Sequence, residues 1–276
     1  MTRTVLFFGD SNTRGYGTGR ERRYAALVEA ALAPTTGACW RFVVRGADSD
    51  FHAIAERLHG AVAKYQPDVV VWQCPTGPAA YFVQYPPWLR PIRAAYNAMF
   101  KWRRERGIRT EQARADAARS SRHDVLYDGR YVDSLYRWRP ASWPITRHAN
   151  ALLARRYGVF VKATRERYLE LMARHRDRLR AESRARLLFL GLVPHDDAFY
   201  PGFGARVTEW SPHLAALLHH PEDGAVYVDL YATLADHPRR HLLHDGAHLA
   251  PDGHRKVADL VVPALVPLMH ACEGDA

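Results

Sequence analysis

The sequence predicts a doubly wound α/β sandwich around a parallel five-stranded sheet. Five short apolar runs alternate with stretches of helical length. The runs are apolar at consecutive positions, as in strands covered on both faces. Gly, Asp and Ser stand where these runs stop, at the carboxyl ends where open parallel sheets bind ligands.

TVLFF (4–8) reads as the first buried strand and breaks off at GDSN. RRYAALVEAALA (22–33) reads as a helix, CWRFVVRG (39–46) as the second strand and HAIAERLHGAVAKY (52–65) as the second helix. PDVVVWQC (67–74), ARLLFLGLV (185–193) and AVYVDLY (225–231) supply strands three to five. A long helix is predicted over 162–187, where Tyr168, Leu171, Met172 and Leu179 recur at three- and four-residue spacing. The last helix fits 251–269, with Pro251 in its first turn and Asp252 as an early-turn anion. Residues 77–150 break the rhythm, with prolines and aromatics interleaved with an Arg-rich run. They read as a cap or subdomain inserted after the third strand of a single domain spanning 1–276.

The chain is 47% hydrophobic and 11% aromatic, enough for a packed core. No window approaches 18 uninterrupted apolar residues, so no integral membrane segment is expected. The first strand starts at residue 4, which leaves no room for a signal peptide and points to the cytoplasm. Cys39, Cys74 and Cys272 are odd in number and widely spaced, a pattern of free thiols and not of disulfides or zinc. Residues 101–186 hold 23 Lys+Arg against 10 Asp+Glu, net +13; the remaining 190 hold 16 against 19, net −3. The excess is either a solvated helical surface or a field that steers an acidic partner. No nucleic-acid module accompanies KWRRERGIR (101–109), so nucleic acid is not expected. Coenzyme A, an acyl carrier protein or an anionic lipid surface are the anionic partners left open.

A serine hydroxyl needs a base within hydrogen-bond reach, and the base needs an orienting group. Ser11 closes the first strand, and LLHDGAHLAPDGH holds Asp245 and His248 three residues apart. In a turn, that carboxylate can meet Nδ1 and leave Nε2 facing Ser11. His244 and His248 have the spacing of helical metal ligands, but Gly246 and Pro251 disfavour a helix there, and no metal or cofactor is expected. RGYGTGR (14–20) lacks the Lys-Ser/Thr of a phosphate loop and reads as a loop after the nucleophile. PHDD (194–197) reads as polar pocket lining or a cap for the next helix. The aromatics Tyr81, Phe82, Tyr85, Trp88, Tyr96, Phe100 and Trp102 form the core of the insertion or, in part, an apolar acyl pocket. Asp10, Asn12, Tyr81, Phe82 and His195 are the expected substrate contacts.

With GDSN (9–12), Gly46 after the second strand and DGAH (245–248) before the last helix, the chain resembles the SGNH/GDSL hydrolases over residues 1–75 and about 185–270. The resemblance implies a flavodoxin-like, three-layer α/β/α fold with ester or acyl-transfer chemistry. It implies Ser11 as nucleophile, His248 as general base, Asp245 as its partner, and the backbone N–H groups of Ser11 and Gly46 as oxyanion donors. One feature departs. After the third strand the family carries G-x-N-D, whose Asn donates a third oxyanion hydrogen bond, whereas this chain has Pro75, Thr76, Gly77 and Pro78. Losing one such donor costs about 10²–10³ in rate. Gln73, Thr76 or the Gly77 N–H are the substitutes left open. The expected activity is hydrolysis of a small-molecule carboxylic ester through an acyl-enzyme on Ser11. The first alternative is an acyltransferase or cyclising enzyme of secondary metabolism, fed by a carrier-protein- or CoA-linked acyl donor. The second is a catalytically degenerate binding protein.

Overall fold

The computed structural model describes residues 2–16, 18, 21–36, 39–46, 51–84, 86–89, 91, 143–197, 199–236, 238–243 and 246–274. Five parallel strands make the main sheet: β1 (Arg3–Gly9), β2 (Trp40–Gly46), β3 (Val69–Gln73), β6 (Arg186–Leu190) and β7 (Ala225–Val228). Their spatial order is β2-β1-β3-β6-β7. β4 (Tyr81–Val83) and β5 (Val159–Val161) form a separate antiparallel pair with Phe82 opposite Phe160.

Alternation of side chains across the pleat explains the continuous apolar runs. Leu6 and Phe8 of β1, Val70 and Trp72 of β3, and Leu187 and Phe189 of β6 enter one core with α3 (Phe51–Tyr65), α5 (Arg165–Glu182) and α6 (Phe203–Leu218). Val5 and Phe7, Val69 and Val71, and Leu188 and Leu190 enter the other, with α2 (Tyr24–Thr36) and α9 (Pro251–Gly274). Each fully buried Val, Leu or Phe contributes about 1.5–3 kcal/mol, so both faces hold the sheet. Among the described helices α9 alone has the length and apolarity to cross a membrane. Here Val257, Val261, Leu265 and Met269, at four-residue spacing, bury it in the second core.

The remaining helices are α1 (Ser11–Arg14), α4 (Trp143–Tyr157), α7 (Leu230–Leu234) and α8 (Pro238–His241). The buried positions of α5 are those of the sequence pattern, with His175 added. Two elements differ from expectation. The last strand stops at Val228, because the Asp229 carboxylate accepts the Ala232 N–H at 3.2 Å and starts α7. Phe203–Leu218 forms a helix that the sequence pattern did not single out. The expected insertion boundary at 150 falls inside α4, and residues 92–142, including Tyr96, Phe100, Trp102 and the run 101–109, lie outside the described residues.

The chain begins in the interior of the sheet, adds β2 on one side and then crosses to β3 on the other. The β1/β3 seam is therefore the switch point, and open α/β sheets bind ligands beyond the carboxyl ends of such strands. Asp10 and Ser11 follow β1 directly, and Cys74 to Gly77 follow β3.

Candidate active site

Asp10 caps α1: its carboxylate accepts the Asn12 N–H at 2.8 Å. Gly15, at φ 78° and ψ 40°, ends this single turn in the left-handed region that glycine enters at low cost. Ser11 is thus presented at the first position of a helix, where its N–H has no intrahelical acceptor. Gly46 lies level with Gly9 across the β1–β2 ladder. A Cβ at Gly46 would stand 2.7 Å from both the Gly9 carbonyl oxygen and the Arg14 side chain, so only glycine permits this approach.

Ser11 Oγ and His248 Nε2 are 2.8 Å apart, across 237 positions of sequence. The side chain of Asn12 helps hold them so. Its Oδ1 accepts the Leu249 N–H at 2.8 Å and its Nδ2 donates to the Ala247 carbonyl at 3.5 Å, gripping the loop on either side of His248. The Leu243 N–H donates to the His248 carbonyl at 2.6 Å and the Ala250 N–H to that of His241 at 2.8 Å, closing the loop at its base. The Tyr16 ring lies on the His248 imidazole, centroids 4.3 Å apart and planes inclined by 34°. Asp245, the expected orienting acid, and His244 lie outside the described residues, as does the Tyr81 side chain.

Burial pushes the Asp10 carboxyl up from its ordinary value, against the opposing pull of the Asn12 N–H, nearby His248, the Gln73 amide and the Thr76 N–H. Beneath it runs a buried polar chain. Thr13 Oγ1 donates to Gln73 Oε1 at 2.8 Å and is 2.8 Å from the Tyr24 hydroxyl. His254 Nδ1 accepts the Tyr24 N–H at 3.2 Å. Burial, reinforced by nearby His248 and Arg23, pushes His254 down to about 3.

The expected contacts separate into two groups. Asp10 and Asn12 adjoin the Ser11–His248 pair and tie its loops together, with their polar atoms turned to protein partners. Gln73 is fully buried with its carbonyl on Thr13, and Thr76 Oγ1 accepts the Val193 N–H at 3.1 Å. Gly77, where the family's Asn would stand, begins a single 3-10 turn, and a Cβ added there meets nothing within 4 Å. Phe82 and His195 belong to an aromatic row: Phe82 lies 5.5 Å from Phe160 and 6.1 Å from Tyr200, and His195 lies 4.6 Å from both Tyr200 and Phe203. The row adjoins the His248 loop, because the Asp196 N–H donates to the Gly246 carbonyl at 2.7 Å. Asp197 accepts the Gly204 N–H at 2.8 Å and so caps α6. Among the described residues, the side chains close enough to share a metal are His220, Glu222 and Asp223, at the amino end of β7 and away from Ser11. Glu222 already meets His220 at 3.4 Å, and Asp223 meets Arg180 at 3.3 Å.

Two neighbours of the site, Tyr16 and Tyr168, escaped the sequence reading. Tyr16 carried a weak signal, an aromatic directly after the glycine that ends the Ser11 turn. Tyr168, whose hydroxyl donates to the Pro75 carbonyl at 3.0 Å, was visible only as an apolar helix position. Asp196 acts here through its backbone, which no side-chain motif reports.

The architecture recurs in solved structures. A lipase/acylhydrolase from Enterococcus faecalis matches 96% of this chain and 95% of its own at 14% identity, with a TM-score of 0.55. TesA matches over 96% and 99% at 16% identity, TM-score 0.52. A G-D-S-L family protein from Desulfitobacterium hafniense DCB-2 matches over 95% and 99% at 10% identity, TM-score 0.51. This is the SGNH hydrolase fold. Within this fold Ser11, directly after β1, meets His248. No protein-family model and no curated protein matches the chain.

Proposed function

We propose that the protein hydrolyses a carboxylic ester of a small molecule through an acyl-enzyme on Ser11. The observation that carries this reading is the 2.8 Å contact between Ser11 Oγ and His248 Nε2 at the mouth of a parallel sheet. Nε2 takes the hydroxyl proton as Oγ attacks the ester carbonyl carbon. The resulting oxyanion is received by the N–H groups of Ser11 and Gly46. The imidazolium then returns the proton to the departing alkoxide, and water repeats the sequence to release the acid. Asp245 serves as the orienting acid on Nδ1.

A fluorophosphonate probe tests the reading. Ser11 becomes phosphonylated in the native protein, and labelling disappears in Ser11→Ala and His248→Ala. Labelling that persists in Ser11→Ala overturns the assignment. Transfer of the acyl group to an alcohol or amine is the second reading. It is favoured by one observation: Gly77, at the position of the third oxyanion donor, brings no side-chain donor there. Product analysis with an activated acyl donor and added alcohols or amines separates the two. Free acid as the sole product establishes hydrolysis.

A further inference from the structure

We propose that Tyr16 is a positioning residue for His248: its ring holds the imidazole plane toward Ser11 and favours the protonated imidazole that forms as the serine attacks. This rests on the reading of His248 as the base. Gly15 turns the chain back through its left-handed conformation, and the Tyr16 N–H then donates to the Ser11 carbonyl at 3.0 Å. One turn of chain therefore carries the nucleophile at one end and an aromatic for its base at the other. The two rings meet at a tilt, with centroids 4.3 Å apart and planes inclined by 34°, close enough for aromatic contact. A cation over an aromatic face gains about 0.5–1 kcal/mol at a partly exposed site, whereas neutral imidazole gains less.

Among the described residues, Asp10, from the end of β1, and His254, from the first turn of α9, also interact electrostatically with His248. Asp245 lies outside the described residues. None of these changes when Tyr16 is replaced, so the ring's effect can be isolated.

Two readouts test the proposal. In Tyr16→Leu, the His248 imidazole titrates about 0.4–0.7 pH unit lower by NMR than in the parent protein. The fluorophosphonate labelling rate falls about two- to five-fold on its neutral plateau, while its acid limb moves to lower pH by the same interval. A purely structural loss would lower the plateau and leave the limb in place. Tyr16→Phe keeps the ring and reproduces the parent in both measurements. The proposal is overturned if the Tyr16→Leu titration overlays the parent, or if Tyr16→Phe shifts like Tyr16→Leu. The NMR titration needs no turnover. A shifted midpoint in a protein whose Ser11 takes no label upholds the Tyr16 contact and overturns the hydrolase reading instead.

Discussion

At the scale of single residues, Asn12 joins two ends of the chain. Its amide satisfies the Leu249 N–H and the Ala247 carbonyl, the peptide groups on either side of His248. Asn12→Ala leaves the buried Leu249 N–H without its acceptor, which costs about 1–3 kcal/mol. We expect a lower denaturation midpoint and slower labelling of Ser11. Asn12→Asp keeps an oxygen for Leu249 but sets a buried carboxylate oxygen against the Ala247 carbonyl, so it does not restore the stability. Gly77 offers a substitution in the opposite direction. Its backbone is not left-handed and its Cβ direction is open, so Gly77→Asn fits without strain. If the missing amide limits turnover, kcat on an activated ester rises by at least about tenfold, part of the 10²–10³ one oxyanion donor is worth. Unchanged kcat in the folded variant shows that another group already fills that role.

At the scale of elements, α5 supports the site from behind. Tyr168 is buried in the core and its hydroxyl donates to the Pro75 carbonyl, fixing the turn between β3 and Gly77. Tyr168→Phe keeps the packing and removes that donor. The expected loss is about 1–2 kcal/mol, read as a lower thermal midpoint, with kcat reduced more than KM as the turn loosens. The charge of α5 is largely matched locally. Arg167 and Arg174 both meet Glu170, at 2.8 and 2.9 Å, and Arg178 meets Glu182 and Glu56 at 2.7 and 2.8 Å. Such exposed pairs contribute little, but they reduce the share of the central positive charge left to attract a partner. His59 links this helix to α3, with Nδ1 2.8 Å from Glu182 and Nε2 3.1 Å from His175.

At the scale of the whole molecule, buried histidines predict how stability follows pH. His254 is held down to about 3 against an ordinary 6.5, and His59 is also lowered, in both cases chiefly by burial. The unfolded chain therefore binds more protons than the native state below pH 6.5. The contribution of His254 is present in full above that pH and is lost as pH falls toward about 3, at about 1.4 kcal/mol per pH unit. Urea midpoints measured across this interval should fall steadily. His254→Asn, which keeps an acceptor for the Tyr24 N–H, should flatten the decline.

The same scale shows what was legible in advance. The five strands of the main sheet could be read because burial on both faces leaves unbroken apolar runs, and GDSN with DGAH marked the Ser11–His248 pair. The helix over 203–218 was harder, because FGARVTEWSPHL mixes glycine, proline and polar residues. Its capping partner Asp197 precedes it across a loop. The structural ties of Asn12, Gln73 and Thr76 were not legible for a common reason. Each is polar and close to the nucleophile, yet its partners come from loops far away in sequence, which no local pattern encodes.

On the proposed mechanism, the grip of Asn12 on the far loop also governs when the protein becomes reactive. During synthesis Ser11 leaves the ribosome more than two hundred residues before the loop it meets. Until α9 docks, the serine is an ordinary hydroxyl that cannot acylate itself on passing metabolites. Probe labelling of nascent chains should therefore appear abruptly once the last helix is free to fold, making Ser11 a chemical clock for completion of the sheet.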